Sequence, residues 1–182
     1  MKKGLFKLIR LVKNIQGYYS SNILVKQKSI QNISGITEFH RYGVAKAKEL
    51  QGFAGFFELL YATKSIEGDI VECGVGRGRS LFYFGFITNL LKSKKLVYGF
   101  DSFEGFPEPS KEDKSKRNPQ KGDWNFTDIN LVKNRFIFAD MINFYNDQVK
   151  LIKGFFSATL EENLPQKISF LHIDGDLYQS TL

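Results

Sequence analysis

Gly68-Asp69-Ile70-Val71-Glu72-Cys73-Gly74-Val75-Gly76-Arg77-Gly78-Arg79-Ser80-Leu81 is the stretch on which the reading of the chain turns. Residues 70–73 are short and mostly apolar, as suits a parallel strand covered on both faces. Gly74, Gly76 and Gly78 then remove three side chains from a sharp turn, so the backbone can bend tightly and a ligand can approach it. Ser80 is placed to cap the helix that follows, through Leu81, Phe82, Tyr83 and Phe84 to Leu91. Strand, glycine turn and helix start is a general nucleotide-handling device, so the spacing has to discriminate. A dinucleotide fingerprint needs glycine at position 79, where Arg79 stands, and a P-loop needs Gly-Lys-Ser/Thr, which is absent.

What stands instead is Glu72-x-Gly74-x-Gly76-x-Gly78, an acid followed by three alternating glycines. This resembles motif I of class I S-adenosylmethionine (SAM) methyltransferases. A turn without a diphosphate ligand suits a cofactor held by its adenosine and amino-acid ends. Taken alone, the motif also fits an ordinary strand-to-helix turn with no ligand.

Residues downstream extend the same pattern. Leu96-Val97-Tyr98-Gly99-Phe100 reads as a second strand ending at Asp101, whose carboxylate is placed to accept from both hydroxyls of a ribose bound over the first turn, with a helix cap or turn aspartate as the plain alternative. A charged stretch, residues 108–123, follows the Asp101-Ser102-Phe103-Glu104-Gly105-Phe106-Pro107 segment, and its length suggests a lid or a disordered loop. Trp124 and Phe126 close it, and either is placed to fold over a ligand. A crossover helix is expected from Thr127, with Asp128 in its first turn and Ile129, Val132, Phe136 and Phe138 as apolar contacts. Residues 149–154 read as a third strand ending in glycine, residues 155–160 as a turn or short helix, and residues 168–173 as a fourth strand running into Asp174-Gly175-Asp176. Strands alternating with helices argue an α/β fold with a doubly wound, mostly parallel Rossmann-like sheet. Gly74, Asp101, Gly154 and Asp174 all fall at carboxyl ends, which gather in one crevice beside the switch point. Asp174 and Asp176 there suit a Mg²⁺ ligand, a hydroxyl-positioning group or a base, with helix capping and turn chemistry as the plain alternative.

Upstream, residues 44–66 carry Leu50, Phe53, Phe57 and Leu60 at helical spacing, predicting a long amphipathic helix that lies on the sheet and delivers the chain into the first strand. Residues 1–19 alternate Leu5, Leu8, Ile9, Val12 and Ile15 with lysines and an arginine. That is a basic amphipathic helix, too interrupted for a membrane span, which packs on the domain or a second subunit or touches an anionic membrane surface weakly. The division is therefore residues 1–43, helix and linker, and residues 44–182, the cofactor-binding domain. Of the net charge of +7, residues 1–50 contribute ten Lys/Arg against two Asp/Glu, and the rest sixteen against seventeen. A nearly neutral body gives little support to general nucleic-acid affinity and leaves a basic N-terminal arm as the alternative. One cysteine, Cys73, rules out an internal disulfide and points to a cytoplasmic location.

Three stretches together, residues 71–80, residues 99–107 and residues 171–181, resemble the macrocin O-methyltransferase family, with Lys153-Gly154-Phe155-Phe156 and Thr159-Leu160 in agreement. The resemblance covers residues 45–182 and implies a SAM- and Mg²⁺-dependent enzyme acting on a hydroxyl of a sugar or glycosylated small molecule. It implies cofactor contacts at Glu72, Gly74, Val75, Gly76, Gly78, Ser80, Asp101, Ser102 and Asp174, with Asp174 also metal ligand and general base. In that family a following strand carries an Asp-Asp pair completing the metal site, and this sequence ends at Leu182. The expectation is a C-terminally truncated, incomplete sheet with the 168–173 strand as an apolar edge, weakened SAM binding, and turnover that depends on the absent segment. The rival readings are another nucleotide-using Rossmann enzyme, disfavoured by Arg79, and a non-catalytic SAM-binding or assembly module.

Overall fold

Strand β1 (Asp69–Cys73) is a central strand of a four-stranded sheet whose order is β3-β2-β1-β4, and every pairing in it is parallel. The computed structural model describes residues 47–180; the readings of residues 1–43 and of the start of the first long helix lie outside the described residues. The remaining strands are β2 (Val97–Asp101), β3 (Val149–Lys153) and β4 (Ile168–Ile173), close to the bounds expected from their apolar runs. Helices α1 (Ala47–Ala62), α2 (Arg79–Leu90), α3 (Ile129–Phe138), α4 (Ile142–Gln148) and α5 (Phe156–Asn163) connect and cover them.

The sheet separates two apolar clusters, as a doubly wound fold requires. The larger joins Phe53 and Leu60 of α1, Leu81, Phe84 and Ile87 of α2, Val132 and Phe136 of α3, and Phe144 of α4 to Ile70, Val97 and Val149 of the strands. The smaller joins Val71, Cys73 and Phe100 to Phe156 and Leu160 on the opposite face. Alternation along each strand divides them: Ile70 and Val71 point to different clusters because successive side chains leave opposite faces. Cys73 is accordingly a buried apolar residue whose thiol pKa burial raises, and no nucleophile.

Two sequence expectations are corrected. The single crossover helix after Thr127 is two helices, because Asp140 adopts a left-handed φ of 55° and the Met141 N–H turns back to the Phe136 carbonyl at 2.8 Å. Asp128 is the N-cap of α3 and not part of its first turn: its carboxylate accepts from the Leu131 N–H at 2.8 Å. Replacing it leaves that N–H unsatisfied, so Asp128→Ala is expected to lower folding stability by about 1 kcal/mol, checked by urea denaturation.

Among the described residues β4 is an edge strand, and its Leu171 and Ile173 are 48% and 52% exposed. That matches the apolar edge expected for residues 168–173. No described helix is long and apolar enough to cross a membrane.

Candidate functional site

The strand ladders run on past their ends and hold the tips together. Gly74 N–H donates to the Phe100 carbonyl at 2.9 Å, Asp174 N–H to the Cys73 carbonyl at 2.8 Å, and Gly154 N–H to the Asp101 carbonyl at 2.9 Å. Gly154, Asp101, Gly74 and Asp174 thus line one edge of the sheet. β2 and β3 lie to one side of β1 and β4 to the other, so the winding reverses at β1 and opens a crevice above it. Gly74 is required there: at φ +94° a Cβ would stand 2.3 Å from the Asp174 carbonyl oxygen.

The turn itself is tied to β2. Asp101 accepts the Gly76 N–H at 2.8 Å through one carboxylate oxygen and the Phe103 N–H at 2.7 Å through the other. Each oxygen keeps a further lone pair. A Cβ at Gly76 would meet nothing within 4 Å, so this part of the turn is open to a ligand. Gly78, at φ 72°, is the N-cap of α2. Ser80 is therefore not the cap: it sits inside the first turn, where its hydroxyl favours the Glu72 carboxylate. Val75 is 4% exposed and joins the core, leaving only its backbone for a ligand. Ser102 is committed to its own loop, donating to the Gly105 carbonyl at 2.9 Å and accepting from the Glu104 N–H at 3.2 Å.

Glu72 is fully buried, on the sheet face beneath α2. Its Oε1 lies 3.0 Å from His172 Nδ1, while Oε2 has no hydrogen-bond partner among the described residues. Burial raises the Glu72 pKa against the opposing pull of His172 and Ser80, and the Glu72 bond raises that of His172 against its own partial burial. His172 packs edge-on against Phe56 and Phe84, with ring centroids 5.2 and 5.5 Å away. Sequence reasoning missed this partner. The available signal was the spacing of His172 and Asp174, which strand alternation puts on one face.

Asp174 is exposed and makes no hydrogen bond or ion pair through its side chain among the described residues. Asp176 is taken by Arg117 at 2.5 Å. No group of three His, Cys, Asp or Glu side chains among the described residues could hold a metal ion. Asp174, a single uncommitted carboxylate, falls short of the ligand set that Mg²⁺ takes, so the described residues by themselves do not form its site.

The loop after β2 is tied by hydrogen bonds at its neck and through its body. Phe106 N–H donates to the Asp123 carbonyl at 2.8 Å and Gly122 N–H to the Phe106 carbonyl at 3.0 Å, closing its neck. Its body docks beyond β4 through Arg117 to Asp176 and through the Tyr178 N–H donating to Asp113 at 2.7 Å. The loop thus joins the end of β2 to the segment that follows β4.

The chain is similar to known proteins across this region. The family model for macrocin-O-methyltransferase (TylF) matches residues 42–182. A tetracenomycin-C 4'-O-methyltransferase of Streptomyces olivaceus, named for an 8-demethyl-8-(2,3-dimethoxy-alpha-L-rhamnosyl) substrate, is 30% identical over 121 residues, covering 64% of this chain and 45% of that protein. Mycinamicin III 3''-O-methyltransferase of Micromonospora griseorubida is 27% identical over 128 residues, covering 64% of this chain and 48% of that protein. The chain therefore spans about half the length of these curated relatives. The solved O-methyltransferase NovP superposes with a TM-score of 0.57 at 26% identity, over 74% of this chain and 56% of that one. With a parallel sheet of matching architecture and a family match over most of its residues, the chain belongs to the macrocin-O-methyltransferase (TylF) family.

Proposed function

We propose that the crevice binds SAM and that the protein transfers its methyl group to a hydroxyl of a sugar in a glycosylated small molecule. The observation that carries this reading is the open glycine turn tethered to Asp101, with Asp174 beside it across Gly74. The donor supplies an electrophilic methyl on a sulfonium. The spare lone pairs of Asp101 accept from the two ribose hydroxyls, and Gly76 lets the donor lie against the backbone. With the donor bound, Asp174 would accept the proton of the acceptor hydroxyl, and the donor would supply the methyl and leave as a neutral thioether, so that the product is a methyl ether. Dependence on Mg²⁺ is the part of the family pattern that the described residues support least, since they offer it Asp174 alone.

Calorimetry with S-adenosylhomocysteine, followed by methyl-transfer assays on a glycoside panel with and without EDTA, tests this. Asp101→Asn keeps one acceptor oxygen and Asp101→Ala keeps none. Affinity is expected to fall about tenfold in the first and a hundredfold or more in the second, at about 1.4 kcal/mol per tenfold step. Equal binding by wild type and Asp101→Ala would remove the ribose role.

A further inference from the structure

Two arginines stand on aromatic faces at the rim of this crevice. The guanidinium of Arg77, at the tip of the glycine turn, lies 4.6 Å from the ring centroid of Phe126 and 5.9 Å from that of Trp124. The guanidinium of Arg117, in the loop after β2, lies 5.9 Å from the same Trp124 and 5.6 Å from Phe106. Both guanidinium groups lie within 6 Å of the same indole, so the two charges belong to one aromatic patch. Trp124 and Phe126 remain 44% and 54% exposed, and Trp124 holds a left-handed φ of 67°. A bulky residue held in that region costs about 1–3 kcal/mol, and such strain gathers at ligand sites.

The charges do not balance within this cluster. Arg77 has no carboxylate partner among the described residues; Arg117 has Asp176, in a pair whose side chains are 51% and 35% exposed. An exposed pair of this kind holds weakly, and a phosphate, with more charge and a matching fork of oxygens, competes for the guanidinium. The donor is the wrong partner for it. SAM is a net cation, and the side chains that the methyl-transfer reading sets beside it, Asp101 and Asp174, are acids.

We infer that Arg77 and Arg117, braced on Trp124, Phe126 and Phe106, form a subsite for a phosphate or diphosphate attached to the acceptor sugar. This rests on the methyl-transfer reading above and narrows its substrate class to phosphorylated sugars, either hexose phosphates or nucleoside diphosphate sugars. The aromatic faces hold the guanidinium groups ready, which lowers the ordering needed on binding.

The test is calorimetry on the whole chain, with S-adenosylhomocysteine present and absent, using a hexose 1-phosphate, a nucleoside diphosphate hexose and the methyl hexoside as probes. At least one phosphorylated probe is expected to bind tenfold or more tighter than the neutral hexoside. Arg77→Gln and Arg117→Gln should each weaken it about tenfold, with Arg77→Lys intermediate and S-adenosylhomocysteine affinity unchanged. Whichever phosphorylated probe binds tighter identifies the source of the phosphate. Equal binding of charged and neutral probes, unchanged phosphate binding in the variants, or a parallel loss of S-adenosylhomocysteine in the variants would each overturn the subsite. If the wild type takes the phosphorylated probe but no S-adenosylhomocysteine, the donor reading fails while the anion subsite stands.

Discussion

Gly74→Ala is expected to lower folding stability by at least about 3 kcal/mol, while Gly76→Ala, two residues on, costs about 1–2 kcal/mol and spares the fold. Both glycines have positive φ, +94° at Gly74 and +50° at Gly76, so the backbone penalty is common to both substitutions. The surroundings differ. A methyl at position 74 would drive into the backbone oxygen of Asp174 at 2.3 Å, and relief requires the tips of β1 and β4 to part, breaking the bond from Asp174 N–H to the Cys73 carbonyl. A methyl at position 76 enters open space above the turn. Its effect falls on the ligand: S-adenosylhomocysteine affinity is expected to drop tenfold or more in a chain that still unfolds cooperatively. Urea denaturation and calorimetry on the two variants check this, and equal destabilisation would mean that β1 and β4 are not packed tip to tip.

This contrast shows what the sequence alone could carry. Glycines at alternate positions after an apolar run announced a turn, and the strand limits followed from apolar runs bounded by Gly, Lys and Asp, since both signals are local. Ser80 misled because a left-handed glycine, Gly78 at φ 72°, took the N-cap position two residues earlier. The break between α3 and α4 was hidden because the apolar spacing runs on through Phe138 and only the φ of Asp140 interrupts it. Glu72 was legible as an acid, yet its partner was not: the register of β1 against β4 sets Glu72 opposite His172, one hundred residues away. Likewise, nothing local shows that Arg117 crosses to Asp176.

His172→Phe is expected to cost about 3–5 kcal/mol at neutral pH, because it leaves a buried carboxylate without its counter-group. The ring should fit, since His172 already packs edge-on among Phe56 and Phe84, so the loss reads electrostatics and not volume. Adding Glu72→Gln to that variant should return part of the stability; full additivity of the two losses would show that the pair is not coupled. The wild-type pH profile follows from the same pair. Both groups have folded pKa values raised above their ordinary 4.5 and 6.5, Glu72 chiefly by burial and His172 chiefly by its bond to Glu72, so the folded state holds protons that the unfolded state releases. Where the folded state binds more protons, stability falls as pH rises. The His172 contribution is therefore fully present below about pH 6.5 and is lost as the pH climbs through its raised folded value. Wild type should accordingly unfold at lower urea concentration at pH 8.5 than at pH 6, and His172→Phe should lose the part of that slope that His172 supplies. A wild-type profile that is flat or rises across this range would mean that the proton is not shared between β1 and β4.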